Sequence, residues 1–225
     1  MKRLLDGYAR FRAEVYPQRA SLFQNLANHQ KPSTLFITCS DSRIVPDMIL
    51  QSDPGDLFIC RNAGNIVPSY GEVNGGVSAT IEYAVLALGI ENIIVCGHSD
   101  CGAMKAVLSR KKHDHMPTVD SWLHNAFSAL QVLESHSSQH QHKSPHEMLR
   151  ALTRANVVSQ LEHLRTHPSV AAGLSKGTLN LYGWVYEIHT GEIQNFNSQQ
   201  GRFLDLATDA EPAPVAQPRL QLMAS

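Results

Sequence analysis

Cys39 and Asp41 stand two residues apart just after the apolar run 34–38, and His98 and Cys101 stand three apart just after the apolar run 92–96. Thiol, carboxylate and imidazole are metal-capable groups, and here they collect where two short apolar runs break into polar, turn-like sequence. In open α/β sheets, function gathers just beyond the carboxyl ends of the strands. If the two runs are neighbouring strands, both clusters meet at one edge of the sheet, which joins residues about sixty positions apart into one site. Taken singly, each residue reads as a core thiol or a satisfied core histidine. The coincidence of three at two strand ends favours a metal.

The donor set points to zinc. Two thiolates and one imidazole suit a borderline-soft divalent ion, and three protein ligands leave a fourth position open. A structural site closes with a fourth Cys or His. Cys96 is the obvious candidate, but it lies within an apolar run and reads as a core thiol, as does Cys60 after Leu57, Phe58 and Ile59. His113, His115 and the histidines of 136–146 fall in polar loops without a Cys or carboxylate frame. Asp41 and Arg43 are either a surface ion pair worth under ~1 kcal/mol or a buried dyad. In a dyad, Arg43 keeps Asp41 ionised and oriented, and Asp41 accepts the hydrogen of the nucleophile at the metal. The charge sum gives the dyad a purpose. A dication with two thiolates and a neutral imidazole is neutral overall and acidifies water less than a three-imidazole site would. Arg43 offsets the added charge of Asp41, and the arrangement favours attack on a small neutral electrophile.

The elements that must position these residues follow from hydrophobic period and turn signals. Residues 2–29 carry apolar side chains at near-helical spacing, interrupted at Pro17. Residues 34–38, 57–60 and 92–96 read as buried strands, with a turn at Asp53-Pro54-Gly55-Asp56. Helices are predicted over 77–88, 103–108, 119–133 and 148–164, with 135–146 as a polar loop between the last two. Residues 178–188 alternate and read as a strand, with a companion near 191–196. Strands alternating with helices imply an α/β fold. The expectation is a single domain over 33–205, with a mainly parallel central β-sheet flanked by helices. An N-terminal helical arm covers 1–32, and an extended or disordered tail covers 206–225.

Composition narrows the function. Nineteen Lys and Arg against twenty Asp and Glu leave a formal charge of −1, which argues against a nucleic-acid surface. No apolar run approaches the ~18 residues of a membrane helix, and the start has no apolar core of a secretory signal. Four scattered Cys make no disulfide scaffold, so a reducing, cytoplasmic setting is expected. Charged residues are only 17% of the chain, below the roughly 25% of average domains, which suggests surface buried between subunits.

The paired signature Cys39-Ser40-Asp41-Ser42-Arg43 and Gly97-His98-Ser99-Asp100-Cys101-Gly102 resembles that of the β-class carbonic anhydrases. Pro54–Phe58, Arg61–Asn65, Glu82-Tyr83-Ala84 and Gly183–Tyr186 fit the same family, and the likeness spans roughly residues 1–205. The stretch RNAGNIVPSYG, with DGYARF near the start, looks closest to the plant-type bacterial members associated with cyanate metabolism. The resemblance implies reversible hydration of CO₂ to bicarbonate and a proton. It implies one Zn²⁺ per chain on Cys39, His98 and Cys101, with Asp41 and Arg43 as the dyad. It also implies a substrate pocket from Gln30, Phe58, Ala63, Tyr83 and Gly102, and a homodimer or higher homo-oligomer gripped by the helical arm. In some members the aspartate swings onto zinc, and those carry Trp three residues before the first Cys and Gly just before it. Phe36 and Thr38 stand there in this sequence, so an open site with Asp41 bonded to Arg43 is expected. The alternatives are a zinc hydrolase of CS₂ or COS on the same scaffold, or a catalytically dead zinc protein. Retention of both Asp41 and Arg43 speaks against the second.

Overall fold

In a computed structural model, which describes residues 1–71, 75–135, 144–208 and 212–215, the chain builds a six-stranded sheet of order β2-β1-β3-β4-β5-β6. The strands are β1 (Thr34–Cys39), β2 (Leu57–Asn62), β3 (Asn92–His98), β4 (Asn180–Tyr186), β5 (Ile193–Asn197) and β6 (Arg202–Asp205). The first four are parallel and the last two antiparallel. β1 and β3 are buried almost throughout, as expected of interior parallel strands covered on both faces. They are direct neighbours, with Thr38 level with Cys96. The chain goes from β1 to β2 on one side and then to β3 on the other. The carboxyl ends of β1 and β3 therefore lie at the topological switch point, where an open α/β sheet forms a crevice.

The helices are α1 (Lys2–Arg10), α2 (Ala20–Leu26), α3 (Pro46–Leu50), α4 (Gly76–Leu86), α5 (Gly102–Ser109), α6 (Pro117–Leu123), α7 (Phe127–Ser135), α8 (Pro145–Thr166) and α9 (Pro168–Lys176). α8 begins with a full capping box, Ser144 and Glu147 each bonding the other's backbone N–H, and with Pro145 in its first turn. It crosses the sheet over β3 and β4, where the strands present glycine. A Cβ on Gly183 would lie 2.8 Å from Leu161 and 2.9 Å from Val157, and one on Gly97 would lie 2.9 Å from Val157. These two positions let the helix approach the sheet backbone. Leu161, Leu164 and Val157 then join Ile93, Val95 and Leu181 in the main core, while Leu149 and Leu152 pack with Met104, Leu123 and Leu130 in a second.

Several expectations are corrected. The predicted helix over 119–133 is two helices joined by a 3₁₀ turn at His124–Ala126. There the His124 ring and the Asn125 amide bond the carbonyls of Asp120 and Trp122, competing with a straight helix. The predicted loop 135–146 loses its last two residues to the first turn of α8 and its first to α7, and 136–143 lie outside the described residues. α3, α9 and β6 were not foreseen, although Pro46 and Pro168 in first turns and Gly177 after α9, at φ +68°, are ordinary helix boundary signals. Over 212–215 the tail carries no helix or strand and runs along the sheet. Val215 is buried, and its N–H donates to Leu181 O at 2.8 Å on the edge of β4 that β5 leaves open. Residues 209–211 and 216–225 lie outside the described residues.

The arm runs as α1, a π turn over Phe11–Val15, a 3₁₀ turn over Pro17–Arg19, and α2. An ion pair from Arg19 to Asp53 fastens it, and so does Leu26 against Gly55, whose φ of +99° and close neighbour exclude a side chain. No residue of α1 or α2 is buried, and Leu4, Leu5 and Tyr8 are 71%, 62% and 60% exposed. The seating of α8 makes a direct prediction. Gly183→Val places a Cβ and two methyls against Leu161 and Val157 and lowers stability by about 2 kcal/mol, read as a fall in the urea midpoint at unchanged slope.

Candidate metal centre

Parallel pairing of β1 with β3 delivers Cys39 at the end of one strand and His98 at the end of the next. Cys101 is the N-cap of α5, three residues on. The turn between them uses Asp100 at φ +60°. The result is a buried trio, Cys39, His98 and Cys101, whose donor atoms all lie within 4.8 Å of one another. Among the described residues it is the one such metal-capable group.

Each donor is prepared. His98 Nδ1 lies 2.8 Å from the Ser99 carbonyl, which only accepts, so Nδ1 carries the hydrogen and Nε2 keeps its lone pair. That Nε2 is buried and has no hydrogen-bond partner. A buried imidazole nitrogen without a partner is costly, and a cation at the centre of the trio would satisfy it. Cys39 is held below the usual thiol range, chiefly because the Cys101 side chain bonds it, with the Gly64 N–H helping against the opposing effect of burial. Cys101 is pushed up by its bond to Cys39 and by burial. Two packed thiols cannot both ionise in a buried site unless a positive charge lies between them, and a dication would supply that charge. On these observations the residues fit a thiophilic divalent ion. Cys96 stays outside the group: burial pushes its thiol up to about 12, and it packs with Phe36 and Ile94 in a separate apolar cluster. Burial raises Cys60 as well.

Asp41 lies beside the trio, its Oδ2 3.9 Å from His98 Nε2. Arg43 grips it with both ends of the fork, Nε to Oδ1 at 2.9 Å and Nη2 to Oδ2 at 2.7 Å. The guanidinium holds the Asp41 carboxyl well below the usual carboxylate range. The dyad is not buried in the single chain: the Arg43 side chain is 44% exposed and that of Asp41 18%. This corrects the expectation of a buried pair. Asp41 is paired with Arg43, as an open site requires. At the two positions that differ from the swinging members, Phe36 packs edge-on against Trp184 and Thr38 Oγ1 donates to Cys96 O at 2.9 Å.

Of the expected pocket residues, the fold joins Phe58 and Tyr83, with ring centroids 6.0 Å apart. Tyr83 is half exposed, and Gln30, Ala63 and Gly102 are exposed. Ala63 and Gly102 each adjoin a residue of the site, Gly64 and Cys101, while Gln30 stands beyond the end of α2. Three site neighbours escaped the sequence reading. Arg61 donates to the carbonyls of Cys39 (3.1 Å) and Asp41 (2.7 Å), fixing the strand end. Gly64 N–H reaches Cys39 Sγ at 3.4 Å. Asp100 accepts from Arg43 Nη1 at 3.2 Å through its side chain and from Nη2 at 3.3 Å through its carbonyl, and it pairs with Lys105. The cation in the Arg61-Asn62-Ala63-Gly64-Asn65 motif was the one readable signal.

A family model described as carbonic anhydrase matches residues 34–193. A carbonic anhydrase of Pseudomonas aeruginosa is 51% identical over 215 residues, covering 96% of each chain. Among solved structures, the β-carbonic anhydrase CcaA superposes with a TM-score of 0.87 at 40% identity, over 91% of this chain and 98% of that one. A structure described as one of two tetrameric β-carbonic anhydrases from the ascomycete Sordaria macrospora superposes with a TM-score of 0.77 at 29% identity, over 87% and 96%. The trio predicts its own chemistry. Elemental analysis of the purified chain should find one zinc, and Cys101→Ser should lose most of it. Full zinc in that variant would remove the site as drawn.

Proposed function

The chain belongs to the carbonic anhydrase family, and on that premise we propose that it is a zinc enzyme for the reversible hydration of CO₂ to bicarbonate and a proton. The observation that carries the reading is the buried Cys39, His98 and Cys101 trio with the Asp41–Arg43 dyad at its side. Those three residues would hold one zinc per chain. The ion, when bound, supplies the Lewis acidity that makes water a nucleophile at neutral pH.

The chain's own residues do the rest. Asp41, kept ionised by Arg43, is acceptor only. Its Oδ2, facing His98, takes a hydrogen bond from the attacking water and turns that water's lone pair outward toward the substrate carbon. Arg43 fixes the carboxylate plane through two parallel bonds, so the orientation costs no reorganisation during attack. The two thiolates and the neutral imidazole cancel a dication, which suits an uncharged substrate and lets anionic bicarbonate leave.

Phe58 and Tyr83 form the apolar wall of the CO₂ pocket in this reading, with Ala63 and Gly102 at its edges beside the metal ligands. Gln30 and a partner's surface close it. The exposed apolar side chains of the arm, and Met48, Tyr83 and Leu86, which are 71%, 50% and 67% exposed, are surface that a partner would cover. We place a second copy of the chain there, as a homodimer or larger. Among the described residues no helix is long and apolar enough to cross a membrane. The thiols of Cys39 and Cys101 must stay reduced to bind metal, which fits the cytoplasm.

Stopped-flow CO₂ hydration on protein of measured zinc content tests the reading. The zinc-loaded chain should accelerate hydration. Asp41→Asn should reduce kcat/KM about 10–100-fold at unchanged zinc, and zinc-loaded protein no faster than buffer would refute the assignment. Sedimentation at micromolar concentration should give a dimer or larger, and Leu5→Glu should weaken it. A fully active monomer would sink the dimer gripped by the arm.

A further inference from the structure

The Gly64 N–H that reaches Cys39 Sγ comes from a connecting segment, and a peptide plane in such a segment rotates unless its polar atoms are held. Here they are held on every side. The carbonyl of the same peptide, Ala63 O, accepts from Trp122 Nε1 at 2.8 Å. The next carbonyl, Gly64 O, accepts from Asn156 Nδ2 at 3.1 Å. Asn156 Oδ1 in turn accepts from Gln160 Nε2 at 2.9 Å, and Gln160 Oε1 accepts from Val67 N–H at 2.8 Å. Asn156 and Gln160 are fully buried on α8, among Leu152, Val157, Leu161 and Leu164. Amides in such a place are destabilising unless bonded; apart from the bond between them and a longer one from Gln160 Nε2 to Asn125 O at 3.3 Å, their bonds go to this loop. Gly64 itself has φ +86°, and a Cβ there would lie 2.9 Å from that of Ala103, so the loop presses its bare backbone toward the site.

A thiolate that accepts an N–H shares its charge with that bond and donates less to a cation. We propose that Trp122, Asn156 and Gln160 are positioning residues for the metal centre, clamping the Ala63–Gly64 peptide so that its N–H stays on Cys39 Sγ and sets how much charge that sulfur gives the metal. The inference rests on the metal site proposed above. The competing account is that these bonds only pack the loop onto α8, in which case their loss lowers stability and leaves the sulfur unchanged.

Cobalt(II) substitution separates the two, because its thiolate-to-metal charge-transfer band reports the charge on sulfur. The wild-type chain should show the band. Its absence would overturn the metal site and the clamp together. In Trp122→Phe, which keeps an aromatic ring but loses the indole N–H and part of its bulk, and in Asn156→Ala, the band should move to lower energy, further in the double variant. Exchange of the Gly64 amide hydrogen should rise at least ~10-fold in each, as expected of a backbone bond released to local opening. If the double variant does not fold, Trp122→Phe decides alone. A folded, cobalt-loaded variant with lower melting temperature but an unmoved band would overturn the clamp while leaving the metal site standing.

Discussion

Two sulfurs packed within 4.8 Å of each other and of an imidazole nitrogen, all buried, are a constraint that reaches through the whole chain. As anions they repel, and as neutral thiols they do nothing a core valine could not do. The arrangement is useful only around a cation, and everything near it prepares for one. Ser99 O fixes the His98 tautomer. Arg61 ties down the backbone that carries Cys39. Arg43 keeps the Asp41 carboxylate ionised and cancels its charge. The sheet order then becomes intelligible. β1 and β3 must be adjacent and parallel for Cys39 and His98 to leave the same edge side by side, and the switch point is where a crevice opens for what they hold.

The ligand residues were legible in the sequence because each requirement leaves a local mark: an apolar run, an abrupt stop, a thiol or imidazole. Joining the two clusters needed one assumption, that the strands are neighbours, and the register supports it. What surrounds the trio was far less legible. Asp100 reads as a surface aspartate until the αL turn aims it at Arg43. Trp122 and Asn156 lie 59 and 92 residues from the loop carbonyls they bond, and no local pattern announces such a partner. The polar stripe of α8 could have been seen. Asn156, Gln160, His163 and His167 fall at intervals of four, three and four between core leucines, and each bonds the backbone of 64–68. The split of α6 from α7 was hidden for the opposite reason: the apolar period continues across it, and side-chain bonds to carbonyls break the helix.

The dyad carries a second lesson about what one chain contains. The two parallel bonds from Arg43 fix the plane of the Asp41 carboxylate beside the trio, so the geometry is better understood as orientation than as a strut. Its exposure matches that of Tyr83, Gln30 and the arm. These surfaces are unfinished in the same sense: apolar or functional groups face outward with no other part of the described chain to cover them. The Cys39, His98 and Cys101 trio completes its environment within the chain, whereas the surface of Phe58 and Tyr83 does not. A partner would therefore act on access and substrate contact, and leave the trio as it is.

α8 connects the core to the chemistry. Its height above the sheet is set by Gly97 and Gly183, where any Cβ would collide with Val157 or Leu161. Those residues sit on the same helix turns as Asn156 and Gln160, whose amides reach the loop that bonds Cys39. Lifting the helix by the radius of a methyl group would lengthen its hydrogen bonds to the loop, which now stand at 2.8 and 3.1 Å, enough to weaken them steeply. Close packing transmits such a shift instead of absorbing it. Two bare backbone positions on β3 and β4 therefore act on the environment of the Cys39 sulfur without touching it. The dense apolar packing over the sheet and the polar order around the metal ligands are consequences of the same seated helix.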